Sequence, residues 1–434
     1  MKYKIFTYGC QANEHDSERI AYLLEDQGYT PTDNEKDADF IVYNTCLIRE
    51  NAELKVYGHL GAIKKLKEEK PDLILAVCGC MMSTGPARDV IQEKYRHVDI
   101  IFGTRNIDKL PELIALHKSS GKMIVDVDEY KDAVDAYVRQ NDYSAYVSIM
   151  SGCNNFCSYC IVPYARGREA SRPLEDIVEE VKELANQGYK EVTLLGQNVN
   201  SYGKDIGHTF PELLYALDKE VKNLEILRFM TSHPKDLSDE LIKAMAEIPM
   251  IAKHFHLPLQ SGSDKVLKEM NRKYNSQQYL ELIKKLRQAM PDISITTDII
   301  VGFPGETEED HQQTIEVCKE AAFDSAFTFI YSARPGTPAA KREDHIPKEV
   351  QSKRFQELLE VIYPIFNQKN AAELGKTHRV LVEDVSKNND EMLSGRTFSN
   401  KLIHMRGDQN LIGKTVDVKV TKHTSFTLEG EIIG

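Results

Sequence analysis

Residues 145–160 read AYVSIMSGCNNFCSYC, an apolar strand-like stretch followed at once by three cysteines in the spacing CxxxCxxC. Three thiols are one short of the four ligands of a tetrahedral zinc site, and no histidine lies within ten residues to complete one. Thiolates suit iron–sulfur clusters, and a cluster held by three cysteines keeps one iron open for a small molecule. The stretch therefore favours an iron–sulfur cluster on Cys153, Cys157 and Cys160.

The same stretch opens a series of six strand–helix units. The strands are AYVSIM, KEVTLLG, EILRFMTS, KHFHLPL, ISITTDIIVGF and SAFTFIY, with helical patterns between them. Six units are two fewer than a closed eight-stranded barrel has, so residues 141–370 are predicted to form a more open, partial (βα)6 barrel. The carboxyl ends of barrel strands form the rim where chemistry is done. The polar residues at these ends are Gln197, Asn198, Asn200, Ser232, His233, Gln260, Ser261, Ser263 and Asp298.

The amino-terminal residues 1–118 alternate strands and helices in a βαβαβ pattern, which predicts a parallel sheet. Cys10, Cys46 and Cys80 each end a predicted strand, at the edge where open α/β sheets bind ligands. These three cysteines either share a site or are buried as small apolar residues. Burial as a small apolar residue is our interpretation of Cys78 and Cys318. The acidic residues 119–140 are predicted to be a linker.

The carboxy-terminal residues 371–434 change to short alternating strands, after a helix near 348–373 that we expect to be interrupted at Pro364. Five strands with polar turns predict a small closed β-barrel of the OB-like kind that binds nucleic acid. Its basic side chains, interleaved with Phe398 and His404, could supply phosphate contacts and stacking, although an ordinary solvated surface is an equal alternative. These basic residues are Arg396, Lys401, Arg406, Lys419 and Lys422.

The formal net charge of −12 argues against a generally basic nucleic-acid binder. No apolar run approaches the ~18 residues that span a bilayer, and the start, MKYKIFTYGC, looks like a first strand rather than a signal peptide. We therefore expect a cytoplasmic protein without a membrane partner, in a reducing compartment where clustered thiols hold metal or do redox chemistry. No heptad seam suggests obligate assembly, so we expect a monomer.

The motifs resemble a known family. CxxxCxxC at the start of a barrel, with Tyr159 between its last two cysteines, resembles the radical S-adenosylmethionine enzymes. The stretches TYGCQANEHDSERI, NTCLIRENA and VCGCMM, together with the three-part layout, resemble the methylthiotransferases among them, end to end. The stretches RFMTSHP and LLGQNVNSYG are most similar to the MiaB branch, and the carboxy-terminal part resembles the TRAM domain, which binds RNA.

This resemblance implies two [4Fe–4S] clusters, one on Cys153, Cys157 and Cys160 and the other on Cys10, Cys46 and Cys80. It implies S-adenosylmethionine as both methyl donor and radical source. The implied reaction adds a methylthio group at carbon 2 of N6-isopentenyladenosine at position 37 of tRNA. The implied partners are tRNA and an electron donor such as flavodoxin or ferredoxin.

Further site residues follow from the resemblance. Tyr159 is expected beside the adenine of S-adenosylmethionine, and Ser232, Gln260 and Asp298 near its ribose and carboxylate. Gln197 lies in the segment GQNVN, which together with TSHP could contact a flipped nucleotide. Arg166 and Arg172 could pair with a carboxylate of the cofactor. The alternative for both arginines is an ion pair with the acidic helix that follows them.

Other functions stay open at this point. Within the family, the substrate could be N6-threonylcarbamoyladenosine-37 of tRNA. Outside it, the chain could be a non-enzymatic iron–sulfur protein that binds RNA, or a zinc-stabilised RNA chaperone. An enzyme makes 5′-deoxyadenosine and a carrier does not, whereas metal content alone separates the zinc protein from the rest.

Overall fold

The computed structural model describes residues 1–47, 50–127, 136–387 and 389–433, and the side chains of residues 50–52 lie outside this description. Within these ranges the chain forms an amino-terminal parallel sheet with helices, a central set of βα units and a carboxy-terminal barrel. The predicted fold class is therefore confirmed.

The amino-terminal sheet has six parallel strands in the order β2-β1-β3-β4-β5-β6. In such a doubly wound sheet, ligands bind where the strand order reverses, here between β1 and β3. The elements are β1 (Lys2–Thr7), α1 (Gln11–Asp26), β2 (Thr30–Pro31), β3 (Phe40–Thr45), α2 (Glu50–Glu69), β4 (Ile74–Gly79), α3 (Gly85–Lys94), β5 (Ile100–Phe102), α4 (Leu110–Ser120) and β6 (Ile124–Asp126).

Strands β3 and β4 are central, and every one of their residues is buried. Their near-continuous apolar sequences, FIVYNT and ILAVCG, suit a sheet that is covered on both faces. Two apolar clusters, one on each face, form the core. The linker prediction for 119–140 is wrong at one point, because β6 pairs with β5 and extends the sheet. A strand of only three residues gives too little alternation to be recognised, and residues 128–135 lie outside the described ranges.

The central part contains the six parallel strands that the sequence predicts. Its elements are β7 (Ser144–Ser148), β8 (Met150–Ser151), α5 (Val162–Arg166), β9 (Ala170–Ser171), α6 (Leu174–Asn186), β10 (Glu191–Leu195), α7 (Phe210–Glu220), β11 (Ile226–Phe229), α8 (Asp239–Glu247), β12 (His254–His256), α9 (Asp264–Glu269), α10 (Ser276–Ala289), β13 (Ser294–Val301), α11 (Glu308–Ala321), β14 (Ser325–Ile330) and α12 (Lys348–Ala371).

These six strands form two three-stranded sheets, β7-β10-β11 and β12-β13-β14. A parallel bridge between Leu227 and Ile251 joins them at one side. Strands β7 and β14 are the two outer edges, so the partial barrel opens between them. The helices cover the outside and bury one large apolar cluster against the strands.

Helix α12 runs without interruption through Pro364, so the predicted break is wrong. Proline removes one backbone hydrogen bond, but Leu358, Ile362 and Phe366 are buried on the barrel core along both turns around it. This packing compensates for the missing hydrogen bond.

The carboxy-terminal part is a closed five-stranded barrel in the order β15-β16-β17-β19-β18. A Cβ atom at Gly395 would collide with the carbonyl oxygen of Leu381, so only glycine allows the strands to cross that closely. The strands are β15 (Thr377–Ser386), β16 (Asn389–Thr397), β17 (Leu402–Arg406), β18 (Thr415–His423) and β19 (Leu428–Ile432).

This small barrel docks on the amino-terminal ends of the central strands, opposite to their catalytic rim. Lys401 Nζ donates to Asp324 Oδ1, just before β14, at 2.9 Å, and Arg379 Nη2 donates to Glu225 Oε2, just before β11, at 2.7 Å. Arg228 Nη2 donates to the carbonyl oxygen of Thr397 at 3.0 Å. Among the described helices, none is long and apolar enough to cross a membrane.

Candidate active site at two three-cysteine centres

The amino-terminal centre is built at the strand-order reversal of the first sheet. Cys10 is the residue before α1, Cys46 follows β3 and Cys80 follows β4. Gly9 has φ +143°, and a Cβ there would come within 2.9 Å of Cys46 Cβ. Glycine is therefore required for the first and second cysteine segments to approach each other. The sequence prediction that strand-end cysteines meet is supported by this geometry.

Asn13 fixes the backbone of this centre from the first turn of α1. Its Nδ2 atom donates to Asn44 Oδ1 at 3.2 Å and to the carbonyl oxygen of Thr45 at 3.0 Å. Cys10 Sγ lies 3.6 Å from Asn13 Oδ1. Asn13 is fully buried, so these contacts satisfy polar groups that no water reaches and hold the Cys10 and Cys46 segments together.

The three thiols of this centre influence one another electrostatically. Burial, together with negative charge on Asp16, Cys46 and Cys10, raises the pKa of the Cys80 thiol to about 11, whereas the Arg166 guanidinium acts in the opposite direction. A buried thiol with this pKa is neutral at pH 7 unless a cation binds it, and a coordinated metal deprotonates it outright. The donor set therefore fits an iron–sulfur cluster with three thiolate ligands.

Arg166 belongs to this centre, although it comes from the barrel. Its Nε atom lies 3.2 Å from Cys80 Sγ, and its Nη2 atom donates to Asp16 Oδ2 at 2.8 Å. Arg166 contacts the first cysteine centre and pairs with Asp16, not with the helix that follows it, which was the stated alternative; its contact with a cofactor carboxylate stays a prediction. Helix α5 reaches across the interface because Ile161 and Ala165 pack in the same apolar cluster as Cys80.

The second centre lies in the loop after β7 and β8. A Cβ at Gly152, where φ is +71°, would collide with the carbonyl oxygen of Arg168, so glycine is required there. The amide of Cys153 donates to the carbonyl oxygen of Gly167 at 3.1 Å, and the amide of Cys160 donates to that of Cys157 at 2.9 Å. Burial raises the pKa of Cys160 to about 12, with negative charge on Cys157 and Cys153 adding to the effect. The three thiols of this centre therefore also influence one another electrostatically.

Arg272 is a residue of this centre that the sequence analysis missed. It is buried, and its Nη1 atom lies 3.4 Å from Cys157 Sγ. Its Nε donates to Tyr274 Oη at 2.9 Å and its Nη2 to the carbonyl oxygen of Pro258 at 2.9 Å. No local pattern marks Arg272, which follows α9 and meets the cysteine loop only through tertiary structure.

The described residues contain no group of three or more His, Cys, Asp and Glu side chains close enough to hold one metal ion. A [4Fe–4S] cube spreads its thiolates over a wider triangle than a single ion does.

Comparison with known proteins identifies the family. Residues 2–103 match an uncharacterized protein family, UPF0004, residues 147–318 match the radical SAM superfamily and residues 371–433 match the TRAM domain. The tRNA-2-methylthio-N(6)-dimethylallyladenosine synthase of Finegoldia magna is 55% identical, over 99% of this chain and 94% of that one. The protein of the same name from Acetivibrio thermocellus is 52% identical, over 99% and 91%. The chain belongs to this synthase family.

Solved structures agree with this at the level of the fold. The radical S-adenosylmethionine methyltransferase TsrM from Kitasatospora setae, with cobalamin and a [4Fe–4S] cluster bound, has a TM-score of 0.60 to this chain. The two are 15% identical, and the match covers 78% of this chain and 73% of TsrM. Family membership assigns S-adenosylmethionine and [4Fe–4S] clusters as the cofactors of the synthase.

Tyr159 of this synthase packs on the barrel wall below the second centre, against Val266, Phe303 and Tyr331. Burial raises its pKa well above the usual value, so the phenol stays neutral. Its predicted place beside the adenine of S-adenosylmethionine stays a prediction.

Gln197, Ser232 and Gln260 lie beyond the carboxyl ends of their strands, whereas Asp298 lies inside β13, so its predicted strand-end position is wrong. Gln260 is buried, and its φ of +70° is a strained conformation. Its amide donates to the carbonyl oxygen of Asp298 in β13, and its carbonyl oxygen accepts from the amide of Ile300 in the same strand. Asp298 Oδ2 lies 3.5 Å from His256 Nε2. Ser232 is buried and Gln197 is half-buried, each just beyond its strand. Contact with the cofactor stays a prediction for all four.

Two other polar residues have structural partners. Arg172 Nη1 donates to Glu180 Oε2 at 2.7 Å, which is the alternative stated above, an ion pair with the helix that follows. Contact of Arg172 with the cofactor carboxylate stays a prediction. His233 is a buried loop histidine whose Nδ1 accepts a hydrogen bond from the amide of Lys235, and burial lowers its pKa to about 2.

The predicted RNA-binding residues of the TRAM domain differ in exposure. The Lys401 side chain is largely enclosed, with Nζ donating to Asp324 and Asn370, and Phe398 packs against the central domain, so RNA contact stays a prediction for both. Arg396 lies 3.5 Å from Glu383, and Lys422 lies 3.0 Å from Glu429. Arg406 and Lys419 are exposed, with no carboxylate within 4.0 Å in the part of the chain that the structure describes.

Proposed function

We propose that this chain is the tRNA methylthiotransferase its family membership indicates, acting at carbon 2 of N6-isopentenyladenosine-37. The observation that carries the proposal is the contact between Arg166 of the barrel and Cys80 of the amino-terminal sheet. It supports one shared active site formed by both three-cysteine centres.

Two centres with three thiolates each suit a reaction that needs two open irons. Cys153, Cys157 and Cys160 would hold the cluster at the barrel rim, and Cys10, Cys46 and Cys80 the second one. When S-adenosylmethionine is bound at the rim and an electron is supplied, it provides a 5′-deoxyadenosyl radical and, in a separate turnover, a methyl group. Cys10, Cys46 and Cys80 would leave one iron of the second cluster without a protein ligand, and that iron could bind exogenous sulfur.

The residues of this chain bind, orient and exclude water. Asn13 and the glycines at 9 and 152 fix the cysteine segments, and Ile161 and Ala165 close the interface between the two centres with apolar side chains. Arg272 and Arg166 donate to one sulfur in each centre. A dry site of this kind keeps a reactive carbon radical from side reactions.

The tRNA would reach the site from the TRAM domain through Arg406 and Lys419, whose charges are free to meet phosphates. We propose a one-electron protein donor of the flavodoxin or ferredoxin class as reductant, and a cytoplasmic monomer as the working form.

The proposal is tested by iron and acid-labile sulfide per chain after anaerobic reconstitution. Two clusters give about eight irons, and a Cys10→Ala, Cys46→Ala, Cys80→Ala variant gives about four. A Cys318→Ala variant is the matched control, since this cysteine is buried in the apolar cluster of the barrel, and it keeps about eight. About four irons in every protein would reduce the chain to a radical enzyme without a sulfur-bearing centre.

A further inference from the structure

Each three-cysteine centre contains one buried arginine that points at a cysteine sulfur, but the two arginines differ in their other partners. Arg272 Nη1 lies 3.4 Å from Cys157 Sγ, and Arg166 Nε lies 3.2 Å from Cys80 Sγ. Arg166 also forms an ion pair with Asp16 at 2.8 Å. In the described ranges, no carboxylate lies within 4.0 Å of the Arg272 guanidinium.

The remaining partners of Arg272 carry no charge at neutral pH. Tyr274 Oη accepts a hydrogen bond from Arg272 Nε at 2.9 Å and donates its own proton to the carbonyl oxygen of Leu259 at 2.7 Å, so this phenol is neutral. The third partner is the carbonyl oxygen of Pro258. A buried cation without a counter-ion is strongly unfavourable, so the negative charge that stabilises Arg272 has to come from the thiolates of its centre.

The electrostatic effect of Arg166 on its own centre is different, because Arg166 has a counter-ion. The carboxylate of Asp16 is buried beside it, so the pair is close to neutral as seen from Cys80. A carboxylate that does influence the barrel centre is that of Glu169, near Cys153. Glu169 is half-buried and bonds to the exposed Asn154, where water weakens its effect.

We propose that Arg272 and the Arg166–Asp16 pair set unequal reduction potentials at the two centres, so that an electron settles on the barrel cluster. A positive charge and a hydrogen bond to a cluster sulfur both stabilise the reduced, more negative form. Arg272 supplies both without compensation, whereas Asp16 cancels most of the charge of Arg166.

The electron balance is simple. One electron passes from the protein donor, which is oxidised, to the barrel cluster, which is reduced from the 2+ to the 1+ state, and no proton or bond is involved. This proposal rests on the proposed function, because it requires a cluster at each centre. Arg272 and Arg166 are positioning residues, since they act on the clusters through their ligands.

The test measures the reduction potential of each centre alone, in the full-length reconstituted chain. The Cys10→Ala, Cys46→Ala, Cys80→Ala background leaves the barrel cluster, and Cys153→Ala, Cys157→Ala, Cys160→Ala leaves the other. Potentials are read from the electron paramagnetic resonance signal of the reduced cluster in a dye-mediated titration. Iron is counted in every sample, so a missing cluster, which contradicts the proposed function, is distinguished from an unchanged potential.

Arg272→Met is expected to lower the reduced-to-oxidised ratio of the barrel cluster at least tenfold at a fixed potential, a shift of 59 mV for one electron. Arg272→Lys, which keeps the charge, recovers part of the loss. Arg166→Met changes the other centre by less than Arg272→Met changes the barrel centre, and Asp16→Asn raises the potential of that other centre because the charge of Arg166 is uncovered.

Equal shifts from Arg272→Met and Arg166→Met, or no rise with Asp16→Asn, would overturn the proposal. If Arg272→Met cannot be loaded with iron, the Asp16→Asn measurement decides alone, because it concerns the opposite centre and leaves both arginines in place.

Discussion

The Nε atom of Arg166 and the Sγ atom of Cys80 lie 3.2 Å apart, although 86 positions separate them in the chain. Arg166 ends α5, directly after the CxxxCxxC loop, and Cys80 ends the fourth strand of the other domain. This contact brings the loop that carries Cys160 to the edge that carries Cys80. The active site is therefore a property of the interface between the two domains.

The Arg166–Asp16 pair is expected to stabilise that interface. Both side chains are largely buried, and removing one partner leaves an uncompensated charge. Arg166→Met should lower the free energy of unfolding by about 3–5 kcal/mol, measured by urea denaturation of the apoprotein. The double variant Arg166→Met, Asp16→Asn should lose less than the sum of the single variants. Simple additivity of the two losses would show that the pair is not coupled.

Lys401 and Lys419 are predicted to act on different properties. Lys401→Ala leaves Asp324 buried without its partner, so we expect the TRAM domain to detach more readily and to be cleaved faster near residues 371–376 by a protease. Lys419→Ala should leave proteolysis unchanged. It should weaken tRNA binding and reduce the slope of log affinity against log salt by about one. A reversal of the two phenotypes would contradict the docking geometry.

Asp310 is expected to make stability depend on acid. The Asp310 carboxylate accepts hydrogen bonds from Ser263 Oγ and Thr307 and forms an ion pair with Lys265. Burial alone would raise the pKa of Asp310, but these partners hold it below the usual value. Because the folded pKa is depressed, the unfolded state binds more protons, and the stabilisation present above about pH 4 is lost as the pH falls. Asp310→Asn should flatten the fall in the free energy of unfolding below pH 4. An unchanged acid profile would rule this out.

Gln260 provides a test of backbone strain at the rim. Its φ of +70° is unfavourable for any residue with a Cβ. Gln260→Gly and Gln260→Ala both remove the side chain, but only glycine removes the strain. The glycine variant should be about 1 kcal/mol more stable in urea than the alanine variant. Equal stability would mean that the backbone relaxes once the side chain is lost.

The sequence predicted the fold correctly wherever a pattern of apolar and polar residues repeats along the chain. Six βα units, five short strands and three strand-end cysteines are local patterns, and the structure contains them. Strand β6 and the continuity of α12 through Pro364 were not predictable in this way, because each depends on packing against a neighbouring element.

The site was predictable only where its residues lie in motifs. The six cysteines stand at strand ends or in CxxxCxxC, whereas Arg272 and Asp16 approach them only after folding. Lys401 shows the same limit. Its place in an alternating strand pattern is typical of a surface cation, yet its Nζ atom donates to Asp324 and Asn370 of the central domain.

The most direct test is the reaction itself. Reconstituted protein is incubated with S-adenosylmethionine, reductant and tRNA carrying N6-isopentenyladenosine-37, and the nucleosides and 5′-deoxyadenosine are analysed by mass spectrometry. The intact protein should form the 2-methylthio nucleoside. The Cys10→Ala, Cys46→Ala, Cys80→Ala variant should still form 5′-deoxyadenosine but no methylthio product. Methylthiolation by that variant, or activity of the intact protein only on tRNA carrying N6-threonylcarbamoyladenosine, would contradict the account.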